Sequence, residues 1–276
     1  MQVLKLTARQ GWGWLAAGFS IFRRNPSQLM LVVIAYWLIV AFVNSVPLAG
    51  PALATISIPF FSVGLMSACR DTDRGRPQSL PALFAALFSG FSGGWKAPAA
   101  RPLLTLGVLY LAASLLALFA SSLVDGGLFM QTMLGGHQPS EADLAEGTLV
   151  AGAQAALLLM APVIMAWWYA PVLVAWHGFG AGKALFFSFA ACLRNWPAFL
   201  AYGACVTVFC ALLPGILLGF LFAALGAPGL VTLFVMPLLL MLGPTLVASG
   251  YVSYRDVFVA TDVQAQTTLP PPADDD

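Results

Sequence analysis

The chain has 276 residues, of which 60% are apolar and only 8% are charged, whereas a typical soluble domain carries about 25% charged residues. A soluble fold of this composition would have too little polar surface to stay dispersed, so the composition indicates a protein that lipid surrounds. The net charge of +1 is uninformative as a sum, but the sequence contains no basic domain, so we expect no binding to nucleic acid.

Six apolar stretches are long enough to cross a hydrocarbon core of about 30 Å, which takes about 20 helical residues. They are residues 28–47, 51–69, 102–124, 149–176, 197–225 and 228–254. Strands that cross a membrane alternate polar and apolar residues, and these stretches do not. The prediction is an all-α, polytopic membrane bundle of six transmembrane helices, forming a single integral membrane domain over residues 1–260.

The twelve Lys and Arg residues all fall in alternate gaps between these stretches. They are Lys5, Arg9, Arg23, Arg24, Arg70, Arg74, Arg76, Lys96, Arg101, Lys183, Arg194 and Arg255. The longest of the other gaps, residues 125–148, carries four acidic residues instead. Because positive residues stay on the cytoplasmic side, this pattern predicts a bacterial inner-membrane protein with both termini in the cytoplasm.

The cation-bearing gaps also contain short amphipathic patterns with helical spacing. One such row precedes each of the first, third and fifth spans. The rows are Trp12, Leu15, Phe19 and Phe22; Leu80, Leu83, Phe84, Leu87, Phe88 and Phe91; and Leu185, Phe186, Phe189 and Leu193. Each is too short to cross the bilayer, so we expect about three amphipathic helices in the inner interface.

Two of these helices end in the same element, which indicates an internal repeat. Phe19 precedes Arg24-Asn25 by five residues, and Phe189 precedes Arg194-Asn195 by five residues. The second span ends in Arg70-Asp71, and the sixth ends in Arg255-Asp256. The middle of the chain has the same layout with a weaker sequence echo. We therefore predict three parallel units, each an interfacial helix followed by a membrane hairpin.

The polar residues at the span ends are candidate anchors for lipid headgroups. They are Arg23, Arg24, Asn25, Arg70, Arg194, Asn195 and Arg255. A structural role explains the same residues: Asn caps a helix start, and a cation at a helix C-terminus offsets the helix dipole and reaches the phosphates. The sequence favours structural anchoring over recognition of one particular headgroup.

Prolines interrupt several spans, and they bear on the question of transport. The candidate broken-helix positions are Pro59, Pro214, Pro237 and Pro244. Broken helices can expose carbonyl groups to a substrate, but prolines are also common kinks in membrane helices. The cores of the predicted spans contain no Asp, Glu, Lys, Arg or His, which argues against a proton-coupled or ion-coupled carrier.

The remaining segments indicate no catalytic or metal chemistry. His137, Glu141, Asp143 and Glu146 form the one cluster resembling metal ligands, but Pro139 argues against a shared helix face. Cys69, Cys192, Cys205 and Cys210 show neither a zinc spacing nor a disulfide framework. No nucleotide, hydrolase or metalloprotease motif occurs, so no cofactor is expected. Residues 261–276, rich in Pro and Asp, are expected to be a disordered cytoplasmic tail.

Four segments carry a resemblance to a known family: Trp12-Gly-Trp14 continuing to Asn25, Ala68-Cys69-Arg70, Ala184 to Asn195, and Ser253 to Asp256. In these segments, the sequence resembles a family of six-helix inner-membrane proteins of proteobacteria whose activity is not established. More remotely, the layout is similar to the membrane-anchor domain found beside bacterial glycerophosphodiester phosphodiesterases. That kinship implies an envelope or lipid context, without the catalytic domain.

These observations favour a non-enzymatic inner-membrane protein that serves as an envelope or lipid-associated accessory or scaffold. The alternative is a passive transporter or channel for a lipid or apolar solute. A third hypothesis is an enzyme acting at the cytoplasmic face through Arg, Asn and His177. The expected partners are membrane lipids, and the sequence leaves open a homo-oligomer or another membrane protein.

Overall fold

The structure, a computed structural model, describes residues 3–47, 49–76, 80–94, 97–135, 140, 147–225 and 228–259. The chain is all-helical, and no strand occurs among these residues. The predicted tail over 261–276 and the loop cluster of His137, Glu141, Asp143 and Glu146 lie outside the described residues.

Twelve α-helices follow one another along the described parts of the chain. They are α1 (Ala8–Arg24), α2 (Pro26–Asn44), α3 (Gly50–Asp73), α4 (Leu80–Leu87), α5 (Ala100–Asp125), α6 (Leu128–Met133), α7 (Thr148–Trp167), α8 (Ala170–His177), α9 (Ala181–Arg194), α10 (Trp196–Val206), α11 (Leu213–Leu225) and α12 (Pro228–Tyr254). A 3₁₀ turn over Ser89–Phe91 and π-helical segments over Thr207–Leu212 and Arg255–Val259 complete the described helical structure.

Six helical segments are long and apolar enough to cross a membrane, which confirms the prediction of six spans. They are Pro26–Asn44, Gly50–Asp73, Ala100–Asp125, Thr148–His177, Trp196–Phe220 and Pro237–Phe258. Helices suit these runs because each helix satisfies its backbone N–H and C=O groups internally, and the hydrocarbon of the bilayer offers these groups no hydrogen-bond partner. Asp125, at the C-terminal end of α5, accepts hydrogen bonds from the backbone N–H groups of Gly127 and Phe129 at 2.9 and 2.7 Å and so starts α6.

The fourth span is divided between α7 and α8. Pro171 lies at the start of α8, where its missing N–H and its ring are tolerated, whereas a continuous helix would clash at that point. The freed backbone is satisfied from α9: the Tyr169 N–H donates to Ser188 Oγ at 2.9 Å, and Ser188 Oγ donates to the Met165 carbonyl at 2.9 Å. The side chain of Ser188 therefore holds α9 against the break.

The chain divides into two compact units. One takes in the described residues of Met1–Leu38, Gly64–Leu87 and Leu193–Asp276, and the other takes in those of Ile39–Val63 and Phe88–Cys192. In the first unit, α1 packs on α10 and α12. In the second, α5 packs on α7, and Trp167 Nε1 of α7 donates to the Leu106 carbonyl at 3.0 Å.

The order of the helices repeats three times as a shorter helix followed by two spans, but the packing is offset from the sequence units. Leu87 of α4 lies against Gly64 of α3, in the hairpin before it. Ser188 of α9 likewise bonds to the hairpin that precedes it. The first helix, α1, packs on α10 and α12 of the last hairpin. Helices α1, α4 and α9 thus each make contacts with the hairpin of another sequence unit.

Candidate functional site

A group of charged side chains joins three helices at the cation-bearing ends of the spans. We call Arg24, Asp73, Tyr251 and Arg255 the Asp73 cluster. Arg24 Nη1 donates to Asp73 Oδ1 at 3.2 Å, and Arg255 Nη1 donates to Asp73 Oδ2 at 2.9 Å. Arg24 also donates to the Asp73 carbonyl at 3.0 Å, and the Tyr251 hydroxyl lies 3.4 Å from Oδ2. The Asp73 cluster therefore ties the ends of α1 and α3 to the end of α12.

The Asp73 carboxylate is held between two guanidinium groups and is largely shielded from solvent. Its side chain is 15% exposed, whereas those of Arg24 and Arg255 are 54% and 39% exposed. Charge-assisted bonds of this kind are stronger than neutral ones, although the exposure of both arginines limits their contribution. With both oxygens engaged, the carboxylate serves to hold helices together.

Trp14 extends this charged region along α1. Its ring is 1% exposed, and its Nε1 donates to Asp256 Oδ2 at 3.0 Å. The ring makes edge-on contacts with Phe199 and Tyr202 at centroid distances of 5.3 and 5.8 Å. A buried Trp needs a partner for its N–H, and Asp256 supplies it. Asp256 also pairs with Arg255, so this carboxylate is engaged as well.

Asn195 fastens the segment that leads into α1. The residue is fully buried, its Oδ1 accepts from the Leu6 N–H at 2.7 Å, and its Nδ2 donates to the Leu4 carbonyl at 3.0 Å. The predicted cap is correct in position but wrong in mechanism, because the side chain makes no capping bond to α10. The amide instead bonds to the backbone of a segment about 190 positions earlier in the chain, where the Leu6 N–H and the Leu4 carbonyl match its acceptor and donor.

An apolar cavity lies beside α1 in the first unit, and we call it the α1 cavity. Its volume is about 340 Å³. The lining residues are Trp12, Leu15, Ala16, Phe19, Cys205, Phe209, Cys210, Met241, Leu242 and Thr245. The Arg23 guanidinium lies 6.0 Å from the ring centroid of Phe19, which places a cation at the edge of this cavity.

The predicted headgroup residues take different places in the structure. Arg23 and Arg194 are exposed at the ends of α1 and α9, and Arg70 is half-buried near the end of α3. Asn25 donates to the Gln28 side chain just after α1. Arg24 and Arg255 are brought together by Asp73. Their assignment as lipid-headgroup anchors stays a prediction.

The predicted broken-helix positions lie mostly inside continuous helices. Helix α3 continues through Pro59, and α12 continues through Pro237 and Pro244. Pro214 follows the π-helical segment Thr207–Leu212, where the backbone is irregular. Helices therefore persist through three of these prolines, which do not divide their spans.

Cavities nevertheless lie next to two of these prolines. Thr245, beside Pro244, lines the α1 cavity. In the second unit, a cavity of about 260 Å³ is lined by Ser57 and Phe60, on either side of Pro59 in sequence. Phe91 stacks on Phe60 at a centroid distance of 4.6 Å and covers part of that wall.

Asp73 and Trp14 are the important residues that the sequence did not single out for a role. The repeat pointed to Asp71, which is the equivalent of Asp256. In the structure, however, Asp71 pairs with the exposed Arg76 at 3.4 Å. Asp73 accepts from partners 49 and 182 positions away, and no local spacing signals such a contact. In a chain that is 60% apolar and has only 11 acidic residues, any acidic residue at a span end is a candidate for such a contact.

The cysteines and the acidic residues do not assemble into a metal centre where the chain is described. All four cysteines are free, and no three His, Cys, Asp or Glu side chains of the described residues come close enough to hold a metal ion. Burial raises the pKa of the Cys192 thiol, on α9, to about 12. That thiol stays protonated at neutral pH and is inert. His177 is exposed at the end of α8.

Comparison with known proteins adds a close relative. Over 264 residues, the chain is 40% identical to a probable inner membrane protein of Burkholderia thailandensis, and the match covers 94% of each chain. No family model and no solved structure matches the chain. The more remote resemblance to the anchor domain of glycerophosphodiester phosphodiesterases stays a prediction. With six spanning helices and this relative, the chain is a multi-pass inner-membrane protein and belongs to the same family as the Burkholderia protein.

Proposed function

We propose that the protein is a non-enzymatic, lipid-associated accessory or scaffold of the inner membrane, embedded in the cytoplasmic leaflet through its short helices. The observation that supports the proposal is that these helices have one face buried against the protein and another that is exposed and apolar. Each keeps one face on the protein and exposes large apolar side chains on another: Trp12 and Phe19 on α1, Phe84 on α4, and Phe186 on α9.

The exposed faces suit a membrane interface better than water. Trp12 and Phe186 are 56% and 67% exposed, and cations lie on the same helices. Arg23 accompanies Phe19, and Lys183 Nζ of α9 lies 4.3 Å from the ring centroid of Phe179. Aromatic rings with neighbouring cations are typical of helices lying at the level of the phospholipid headgroups.

Rigid attachment of α1 supports a scaffold. The segment before α1 is clamped by Asn195, the middle of the helix by Trp14 on Asp256, and its end by Arg24 on Asp73. A helix fixed at three places presents a constant surface to the lipid. The same bonds engage the carboxylates of Asp73 and Asp256, which supports a structural assignment for them over acid–base chemistry.

The proposal is tested by adding charge at two exposed aromatic side chains, one on α4 and one directly after it. We expect Phe84→Asp with Phe88→Asp to lower the stability of the protein in phospholipid vesicles by on the order of 2–4 kcal/mol, because two aromatic rings leave the bilayer. In detergent micelles the loss should be smaller. Thermal unfolding of both preparations gives the measurement.

The matched control adds the same two charges to α4 away from these rings. Ala82 and Ala85 are exposed, and Ala82→Asp with Ala85→Asp should leave the difference between vesicle and micelle unchanged. Equal stability of the Phe pair and the wild type in vesicles would refute the scaffold proposal. Conversion of a vesicle phospholipid by the purified protein would refute its non-enzymatic part.

A second candidate is a passive transporter of a lipid or apolar solute. The two cavities beside Pro244 and Pro59 favour it, because an apolar cargo needs apolar space near a membrane helix. Its test is the transfer of a fluorescent phospholipid between the leaflets of vesicles. If the protein is an accessory, the transfer rate in vesicles that contain it should equal the rate in protein-free vesicles. A transfer rate that rises in proportion to the protein content would support the transporter.

A further inference from the structure

The α1 cavity is lined almost entirely by apolar side chains. Its one hydroxyl, on Thr245, donates to the Met241 carbonyl at 2.7 Å within α12. This hydroxyl therefore needs no hydrogen bond from a molecule in the cavity. Leu15, Phe19 and Leu242 supply apolar surface on two sides. A volume of about 340 Å³ lies in the range of small-molecule sites, which begins near 300 Å³. Such walls accept an aliphatic chain and reject a polar solute.

An irregular backbone shapes one wall of the α1 cavity. The π-helical segment Thr207–Leu212 places Phe209 and Cys210 at the cavity, and Phe209 meets Trp12 edge to face at a centroid distance of 5.8 Å. A π-helical turn carries an extra residue and costs stability relative to an α-helical turn, and such turns occur often at functional sites. The irregular backbone at this wall is therefore of the kind often found at functional sites.

The charge at the cavity edge selects the kind of aliphatic molecule. Arg23 and Arg24 are neighbours, but Arg24 is held by Asp73, whereas Arg23 takes no part in the ion pairs found among the described residues. The Arg23 side chain is exposed beside Phe19 at the cation-bearing ends of the spans. A free guanidinium next to an apolar cavity is complementary to a phosphate joined to an acyl chain.

We infer that the α1 cavity binds one anionic glycerophospholipid, with an acyl chain in the cavity and the phosphate at Arg23. This inference rests on the proposed lipid-associated role and gives it a site and a ligand class. It also explains the exposed aromatic rings of α1: Trp12 and Phe19 flank the chain, while Arg23 holds the headgroup.

The test uses the delipidated full-length protein in detergent micelles and native mass spectrometry. The probes are palmitoyl-oleoyl phosphatidylglycerol and the corresponding phosphatidylcholine. We expect one phosphatidylglycerol to bind before any other adduct forms, and Arg23→Gln to weaken that first adduct about fivefold, as expected for one cation near an anionic lipid. Arg194→Gln removes another exposed cation, at the end of α9, and should leave the affinity unchanged.

A filling variant separates the cavity from the charge. Ala16→Trp puts a large ring into the cavity, whereas Ser20→Trp adds the same ring to an exposed position of α1 outside the lining. Ala16→Trp should abolish the first adduct of both lipids, and Ser20→Trp should retain it. Equal first-adduct affinity in the wild type, Arg23→Gln and Ala16→Trp would overturn the inference.

A readout on the unaltered protein covers the case in which a variant fails to fold. Cys210 is half-exposed and lines the cavity, while Cys69, Cys192 and Cys205 are buried. Phosphatidylglycerol should slow alkylation of Cys210 severalfold relative to phosphatidylcholine, and identical rates would refute the site. If that protection is absent while vesicles still stabilise the protein through Phe84 and Phe88, the site falls and the scaffold role stands.

Discussion

The side chain of Asn195 holds the segment that precedes α1 against the rest of the first unit. Its amide satisfies the backbone of both Leu4 and Leu6 in a buried position. Asn195→Ala leaves these two backbone groups without partners, at about 1–3 kcal/mol each. We expect on the order of 2–4 kcal/mol of destabilisation, measured by thermal or denaturant unfolding in micelles.

Asn25 provides the control for that prediction, because it occupies the same place in the first repeat. Its side chain bonds to Gln28 three residues later and is only half-buried. Asn25→Ala should therefore cost less than about 1 kcal/mol. Comparable losses from the two substitutions would show that the buried clamp on Leu4 and Leu6 is not the source of the difference.

Asp73 is the residue whose removal should loosen the cation-bearing ends of the spans. Asp73→Asn discards the charge that Arg24 and Arg255 share and leaves two guanidinium groups close together. Since both arginines are partly exposed, we expect a modest loss of about 1–2 kcal/mol, decreasing as salt is added. Unfolding at two ionic strengths measures it.

The matched substitution for Asp73→Asn is Asp71→Asn, on the same helix. Asp71 pairs with a strongly exposed arginine, Arg76, at 3.4 Å. Surface pairs of this kind contribute about 0–1 kcal/mol, so little change is expected. If Asp71→Asn destabilised the protein as much as Asp73→Asn, the bridging role of Asp73 would be disproved.

At the scale of the element, α1 depends on glycine for its contact with the spans. A Cβ at Gly11 would lie 1.9 Å from the Ala198 carbonyl oxygen, and one at Gly18 would lie 2.6 Å from the Ser249 nitrogen. Both neighbours are backbone and cannot move aside cheaply. Small residues allow the same close approach between other membrane helices.

Gly11→Ala should therefore push α1 away from α10 and destabilise the protein by about 3 kcal/mol. Gly13→Ala is the matched control, because a Cβ there meets nothing within 4 Å. In that open position, alanine should stabilise the helix by about 0.5–1 kcal/mol. Unfolding of the two variants measures effects of opposite sign, and a neutral Gly11→Ala would contradict the close packing.

The apolar row predicted for α1 was correct in its helical spacing but did not reveal which face meets the protein. Trp12 and Phe19 of that row are exposed, whereas Gly11, Trp14 and Gly18 are buried. Hydropathy alone cannot make this distinction, because in a membrane both lipid and protein accept apolar surface. Small residues spaced seven apart were the signal for the protein-facing side.

At the scale of the whole molecule, local composition was enough to predict the membrane spans, but it did not predict which residues of different spans contact one another. The last helix, α12, has the predicted bounds, because proline and long apolar runs mark its course. The pairing of Arg24 and Arg255 through Asp73 joins residues far apart in the chain. With twelve cations near the span ends, the sequence offers many equivalent pairings, and only packing selects one.

The distribution of the cations predicts the orientation of the molecule in the membrane, and labelling of single cysteines can measure it directly. Ser140 lies in the long gap that carries acidic residues, and Gln10 is exposed on α1 beside Arg9. In intact cells, Ser140→Cys should react with a membrane-impermeant maleimide, because its gap is expected in the periplasm. Gln10→Cys should react only after the inner membrane is opened. Both cysteines are placed in a protein whose native cysteines are changed to serine or alanine, and immunoblotting checks equal amounts. Reaction of Gln10→Cys in intact cells would reverse the proposed topology, and with it the assignment of the Arg23 lipid site to the cytoplasmic leaflet.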